Sequence, residues 1–253
     1  VLSLLQFKRR NTEASVFNLL FWWICVPWFV TASSWVLWRL RVRGRENLPR
    51  TGGALVIANH QSNLDPLLMG AVLNDRAPRM LARRTLQTDS PWPVPWMLRV
   101  GCRVIFVDQE TADPGAMKAV IAELKAGRVS VVFPEGTRSV DGTMLDFERG
   151  VWLLIKRGGQ PVLPIGIEGA FDVWPRKSRL RLRGRIVFNI GEPIPCEDLL
   201  AMGVDQALAF LHERVDTLRA EARAAIRVRS GGRWPLAGPA DIQNGSPSCT
   251  AGT

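Results

Sequence analysis

Residues 14–38 form a run of 25 positions without a charged side chain, bounded by Glu13 before and Arg39 after. As one helix the run would extend roughly 37 Å, more than the hydrocarbon core of a bilayer, about 30 Å. Few helices of water-soluble domains stay uncharged over such a length, so the segment is expected to anchor the chain in a membrane. Length alone favours a single span. Pro27 and the central tryptophans Trp22, Trp23 and Trp28 favour a bent or re-entrant helix pair lying in one leaflet, because tryptophan prefers the headgroup level. No small-residue cleavage site follows, so a secretory signal does not fit. Basic residues flank the run on both sides (Lys8, Arg9 and Arg10; Arg39, Arg41, Arg43 and Arg45), which leaves its orientation open.

The rest of the 253-residue chain changes character. A turn-rich stretch at 48–53 precedes the short apolar run Ala54–Ala58, which reads as a buried strand. Further strands are expected at 79–82, 104–107, 130–133 and 161–167. Helices are expected to start at Pro66 and to cover 114–126, 150–156 and 205–227. Residues 179–190 alternate, with Arg179, Arg181, Arg183 and Arg185 on one side and Leu180 and Leu182 on the other, which reads as a half-buried strand. Strands alternating with helices give an α/β domain with a central sheet flanked by helices. The organisation expected is an anchoring segment over 1–45, a domain over 46–229 and a disordered tail over 230–253, where Gly, Pro, Ser and Asn dominate.

A formal net charge of +10 calls for an anionic partner. Nucleic acid is disfavoured, since aromatic and basic residues interleave only around the apolar run. Cys25, Cys102, Cys196 and Cys249 lack metal-ligand spacing and form no disulfide framework, which suits a reducing compartment.

Only two histidines are present. His212 falls among Glu213, Arg214 and Asp216 on a helix and is expected to be solvated. His60 follows the strand Ala54–Ala58 directly, where α/β sheets build sites. Asp65 is five residues on; on a regular helix the two side chains would diverge by about 140°. They meet only if a loop curls into a helix starting at Pro66, a residue suited to a first helical turn. A carboxylate on one imidazole nitrogen would then fix the tautomer and leave the other as a base. Asp65 also suits a plain helix cap, and the two roles are compatible. No Ser or Cys has a nucleophile-elbow context, so direct attack by a substrate hydroxyl is the simpler chemistry. About 70 residues later, Phe133-Pro134-Glu135-Gly136-Thr137-Arg138-Ser139 ends another strand. It offers a carboxylate and a planar cation, and arginine suits phosphate through its fork of donors.

These two blocks, in this order and at this distance, resemble those of the lysophospholipid acyltransferase family, which includes glycerol-phosphate and 1-acylglycerol-3-phosphate acyltransferases. The H-x-x-x-x-D block matches at His60 and Asp65, and the F-P-E-G-T-R-S block at every position from Phe133 to Ser139. The apolar, proline-bearing block of the family corresponds to 160–166, and its basic residue between the first two blocks to Arg83. The resemblance covers roughly 48–195. It implies a single glycerolipid-acyltransferase-like domain in which His60 is the general base and Asp65 orients it. Arg83, Arg103, Glu135, Gly136, Thr137 and Arg138 would hold the acceptor. It further implies acyl-CoA or acyl-carrier protein as co-substrate, with no cofactor and no metal, and membrane lipids as partners. The location implied is a cell membrane, the inner membrane of a bacterium, with the catalytic domain on the cytoplasmic face. One block departs: where the family reads G-x-x-F-I-D-R, this chain ends Val107-Asp108-Gln109, replacing an arginine thought to hold the acceptor phosphate. Two acceptors therefore stay open, 1-acyl-sn-glycerol 3-phosphate and another such as lyso-ornithine lipid. The rival of a different class is a non-catalytic lipid-binding protein with the same fold.

Overall fold

The run Ala54-Leu55-Val56-Ile57-Ala58 is buried at every position, as expected of a strand covered on both faces. In the computed structural model, which describes Leu20, Ile24 and Trp28 and residues 30–84, 104–107, 113–176 and 178–241, this strand is the centre of a seven-stranded sheet. The strands are β1 (Arg41–Arg43), β2 (Ala54–Ala58), β3 (Arg79–Arg83), β4 (Ile105–Val107), β5 (Val129–Val132), β6 (Val162–Glu168) and β7 (Val187–Ile190). Their order is β1-β7-β6-β2-β5-β3-β4. Every pair is parallel except β6 with β7. Parallel neighbours need crossovers, and the helices that supply them cover the sheet.

Successive side chains of a strand face opposite ways, so β2 splits between two cores. Ala54, Val56 and Ala58 join Leu68, Met69 and Val72 of α2 (Asp65–Val72), together with Trp38 of α1 (Ala32–Trp38). Leu55 and Ile57 join the opposite core. There they pack with Val120 and Leu124 of α3 (Pro114–Lys125), Leu154 and Ile155 of α4 (Gly150–Gly158), and Leu211 and Val215 of the long C-terminal helix. The helix α3 starts where Asp113 accepts a hydrogen bond from the Ala116 amide at 2.9 Å, with Pro114 in its first turn.

Two short helices carry no strong sequence signal and were not anticipated: α5 (Ala170–Val173) and α6 (Cys196–Met202). The last helix, α7 (Val204–Ser230), crosses β6 closely. A Cβ on Gly166 would lie 2.3 Å from the Arg219 amide nitrogen, so only glycine lets the two backbones approach.

Three expectations change. The strand foreseen over 179–190 shortens to β7; Arg179–Arg183 are all exposed, Leu182 at 61%, and Arg185 is half-buried. Alternation builds a strand only where a neighbour offers a ladder and a core to cover one face. Residues 179–185 have neither, and loop past α1, where the Trp38 indole donates to the Arg181 carbonyl at 2.9 Å. Arg41–Arg43, read as a basic flank, is strand β1. The tail foreseen as disordered from Ser230 folds back as far as Asp241. Trp234 packs against Val187, Ala222 and Ile226, and Asp241 accepts from Arg223 at 2.6 Å and Arg227 at 2.5 Å. Low-complexity composition cannot reveal carboxylate–guanidinium pairs formed 14 and 18 residues apart. Residues 242–253 lie outside the described part.

The anchoring segment expected over 14–38 also lies mostly outside it. Among the described residues no helix is long and apolar enough to cross a membrane. Of the tryptophans described there, Trp28 and Trp35 are 73% and 69% exposed.

Candidate active site

Because β2, β5, β6 and β3 run parallel, their C-terminal ends share one edge of the sheet, where the loops gather. Asn59, the first residue past β2, is tied to β6 twice. Its side-chain amide donates to the Ile167 carbonyl at 2.9 Å and its oxygen accepts from the Ile167 amide at 2.7 Å. This pins the start of the loop that carries His60.

The loop then curls. His60 Nδ1 lies 2.9 Å from Asp65 Oδ2, and the same oxygen accepts the amides of Gln61 at 2.6 Å and Ser62 at 2.7 Å. Asp65 is fully buried at the start of α2, ahead of Pro66. Both expected roles of Asp65 thus coexist: it gathers the amides of its own loop and it meets the imidazole. A carboxylate at Nδ1 places the proton there and leaves Nε2 as the basic nitrogen. The His60 side chain is 16% exposed, so an edge of the ring is open while its partner is sealed.

The second block leaves β5 beside it. The Phe133 ring stacks on the His60 imidazole, with centroids 4.2 Å apart and planes 20° from parallel. Glu135 Oε1 accepts the His60 amide at 2.6 Å, its Oε2 accepts the Leu145 amide at 2.9 Å, and the Ser139 amide donates to the His60 carbonyl at 2.8 Å. Gly136, at φ +66°, makes the turn that sends Glu135 inward.

Glu135, expected among the acceptor-holding residues, is 4% exposed, with both oxygens engaged by backbone amides. Gly136 is exposed and Thr137 and Arg138 are half-buried on the outer side of the same turn. The Arg83 backbone ends β3 at the shared edge, opposite Val107 of β4 and about 10 Å across the sheet from β2 at ordinary strand spacing. Arg103 and Gln109 lie outside the described residues. His212 is also corrected: it is half-buried, its ring edge-on to Phe147 at 5.1 Å, because α7 turns that face toward the loop before α4. Among the described residues no group of three His, Cys, Asp or Glu could hold a metal ion. Sequence reasoning gave no role to Asn59, Phe133 or Ser139; the unbroken match through Phe133–Ser139 was the signal that could have marked the last two.

Burial pushes the Glu135 carboxyl up to about 7; the nearby Asp65 charge adds to this, and the amides of Leu145 and His60 pull the other way. An acid whose folded pKa exceeds its unfolded value of 4.5 holds its proton more tightly in the fold. Its contribution is therefore complete below about 4.5 and lost as pH rises through about 7, a decline of about 3 kcal/mol. Urea unfolding of the wild type and Glu135→Gln across this range should show that extra decline in the wild type alone. Parallel curves would contradict it.

Comparison with known proteins agrees with this geometry. Residues 39–168 match the Acyltransferase family, just over half of the chain. The chain is 35% identical over 164 residues to the Bos taurus 1-acyl-sn-glycerol-3-phosphate acyltransferase alpha, covering 64% of this chain and 56% of that protein. Thus it spans little more than half the length of that relative. It is 25% identical over 177 residues to the Bacillus subtilis 1-acyl-sn-glycerol-3-phosphate acyltransferase, covering 70% of this chain and 84% of that one. The crystal structure of the 1-acyl-sn-glycerophosphate (LPA) acyltransferase, PlsC, from Thermotoga maritima superposes with a TM-score of 0.68 at 24% identity, covering 92% of this chain and 89% of that one. At that identity the likeness bears on the fold. An α/β sheet with a His–Asp pair at its C-terminal edge and a family match spanning both blocks has one classification: the chain belongs to the acyltransferase family.

Proposed function

We propose that the protein transfers a fatty acyl group from acyl-CoA or acyl-carrier protein to the free hydroxyl of 1-acyl-sn-glycerol 3-phosphate, giving phosphatidic acid. The observation that carries this reading is the His60–Asp65 pair, 2.9 Å apart at the mouth of the sheet, with Asp65 sealed and His60 partly open. In this mechanism Nε2 of His60 takes the proton of the acceptor hydroxyl as its oxygen attacks the thioester carbonyl. The tetrahedral intermediate collapses, the carbon–sulfur bond breaks, and the departing thiolate recovers the proton from the imidazolium. Asp65 stabilises that imidazolium and holds the tautomer. Arg138 and Thr137, with the exposed backbone at Gly136 and the cations Arg83 and Arg103, would receive the acceptor headgroup.

A membrane location supports a lipid acceptor. Trp28, Trp35 and Val36 are exposed, as are residues 179–183, where Arg179, Arg181 and Arg183 alternate with Leu180 and Leu182 and the Arg181 carbonyl accepts from the Trp38 indole. Apolar side chains enter the interface while each base near anionic lipid contributes about 1 kcal/mol. This attachment would set the active edge on the cytoplasmic face of a cell membrane.

A second acceptor has one observation in its favour. Gln109 carries no charge at the position where the family motif it resembles has arginine, which suits a lyso-aminolipid such as lyso-ornithine lipid better than a phosphate monoester.

Detergent-purified protein given labelled acyl-CoA or acyl-carrier protein, with glycerol 3-phosphate, lysophosphatidic acid or lyso-ornithine lipid, separates these readings. Transfer to lysophosphatidic acid is expected, reduced about 10²–10⁴-fold in His60→Ala. Transfer to the aminolipid alone favours the second acceptor. No transfer by folded protein to any acceptor would favour a non-catalytic lipid binder.

A further inference from the structure

We infer that Phe133 and Glu135 are positioning residues for His60, Phe133 holding its ring and Glu135 its backbone, and that neither is a ligand for the acceptor. The inference rests on His60 being the base. It assigns to the second block a task directed at the first block rather than at substrate.

The geometry begins in the sheet. β2 and β5 pair in parallel with Ile57 opposite Val132, so both strands leave the sheet at the same level. The residue after Val132 is Phe133, and its ring reaches the imidazole two residues past Ala58. The Gly136 amide then donates to the Phe133 carbonyl at 3.1 Å, closing a turn that delivers Glu135 beneath the His60 peptide. His60 is consequently held from four directions. Its amide donates to Glu135, its carbonyl accepts from Ser139, its Nδ1 meets Asp65, and one ring face lies on Phe133. The Nε2 edge is left for the reaction.

The residue types follow from that task. A carboxylate can accept two backbone amides at once. A Gln side chain has one acceptor and one donor, so one of the two amides of His60 and Leu145 would face an N–H. A flat ring 4.2 Å from the imidazole and 20° from parallel blocks rotation of the imidazole out of the Asp65 bond. Leucine has similar bulk but no flat face. An acceptor ligand, by contrast, needs an oxygen directed into the open site, and Glu135 is 4% exposed with both oxygens taken.

The test exploits the histidine count. A His212→Leu background leaves His60 as the sole imidazole, and ¹⁵N NMR of its ring nitrogens reads the tautomer without any substrate. The parent is expected to show one tautomer, protonated at Nδ1. Phe133→Leu and Glu135→Gln should move the two nitrogen signals toward each other as the second tautomer mixes in, and Phe133→Tyr should restore the parent pattern. In turnover, Phe133→Leu and Glu135→Gln should lower kcat about tenfold or more with the acceptor KM within about twofold. Unchanged ring signals in both variants, or an acceptor KM that rises in Glu135→Gln with kcat intact, would overturn the inference. Leu and Tyr behaving alike at position 133 would overturn the ring-holding half. Should the parent transfer no acyl group, the NMR arm still reads the positioning of His60, so failure of the functional reading and failure of this inference are told apart.

Discussion

Asp65→Asn is expected to lower turnover by about 10³–10⁴-fold while leaving the acceptor KM nearly unchanged. The size follows from how much converges on one atom. Asp65 Oδ2 accepts the His60 ring N–H and the amides of Gln61 and Ser62. An asparagine that keeps its oxygen there retains all three bonds but removes the negative charge that stabilises the imidazolium. Its amide group then occupies the place of Oδ1, which is buried and has no hydrogen-bond partner among the described residues, so a buried donor would be stranded. An asparagine turned the other way points N–H groups at three donors and reverses the tautomer. Both orientations would impair the proposed step in which His60 takes a proton, and neither touches the surface that would hold the acceptor. Saturation kinetics with the acceptor varied at fixed donor would check this. A loss of less than tenfold would mean that Asp65 serves the loop and not the chemistry.

The largest loss of stability is expected from Arg219→Ala, about 3–5 kcal/mol by urea unfolding at neutral pH. Arg219 is wholly buried. It pairs with Glu168 at 3.2 Å and with Asp216 at 2.7 Å, and Glu168, itself 2% exposed at the end of β6, is also bonded to Arg223 at 3.0 Å. Removing one partner of such a set leaves charge buried without compensation, which is worse than never having had the pair. The combined variant Glu168→Gln with Arg219→Met should therefore regain much of the loss. If the double variant is no more stable than Arg219→Ala, the penalty comes from the lost packing of the buried side chain and not from stranded charge.

These two sites differ in how far the sequence revealed them. His60 and Asp65 could be paired on paper because four intervening residues and a proline at a first helical turn leave one compact way to bring them together. The helix over 114–126 was legible for the same kind of reason: a proline at its start, apolar residues at helical spacing and a closing glycine all act within one or two turns. Ala54–Ala58 was legible because a fully apolar run of five can be satisfied as a strand covered on both faces. Such signals lie among near neighbours, and near neighbours are fixed by the chain itself.

Other features required the three-dimensional arrangement. Glu135 reads as a displayed carboxylate in Pro-Glu-Gly-Thr-Arg, yet β5 leaves the sheet beside β2 and the turn buries it under His60. The alternation of 179–190 reads as a strand, yet most of it has no neighbouring strand to pair with, so only β7 forms. Residues 205–227 read as a helix, and that pattern gives no hint that Gly166 draws α7 so near β6 that the guanidinium groups of Arg219 and Arg223 meet Glu168 in the interior. Composition marks 230–253 as unstructured, yet Arg223 and Arg227 bind Asp241 and hold the chain to that point. In each case the deciding contact joins residues far apart in the chain, or depends on which strand lies next to which. Local pattern determines which elements can form and which residues have the chemistry; burial and partnership are properties of the assembled sheet, and only it could decide that Glu135 is buried against the His60 amide.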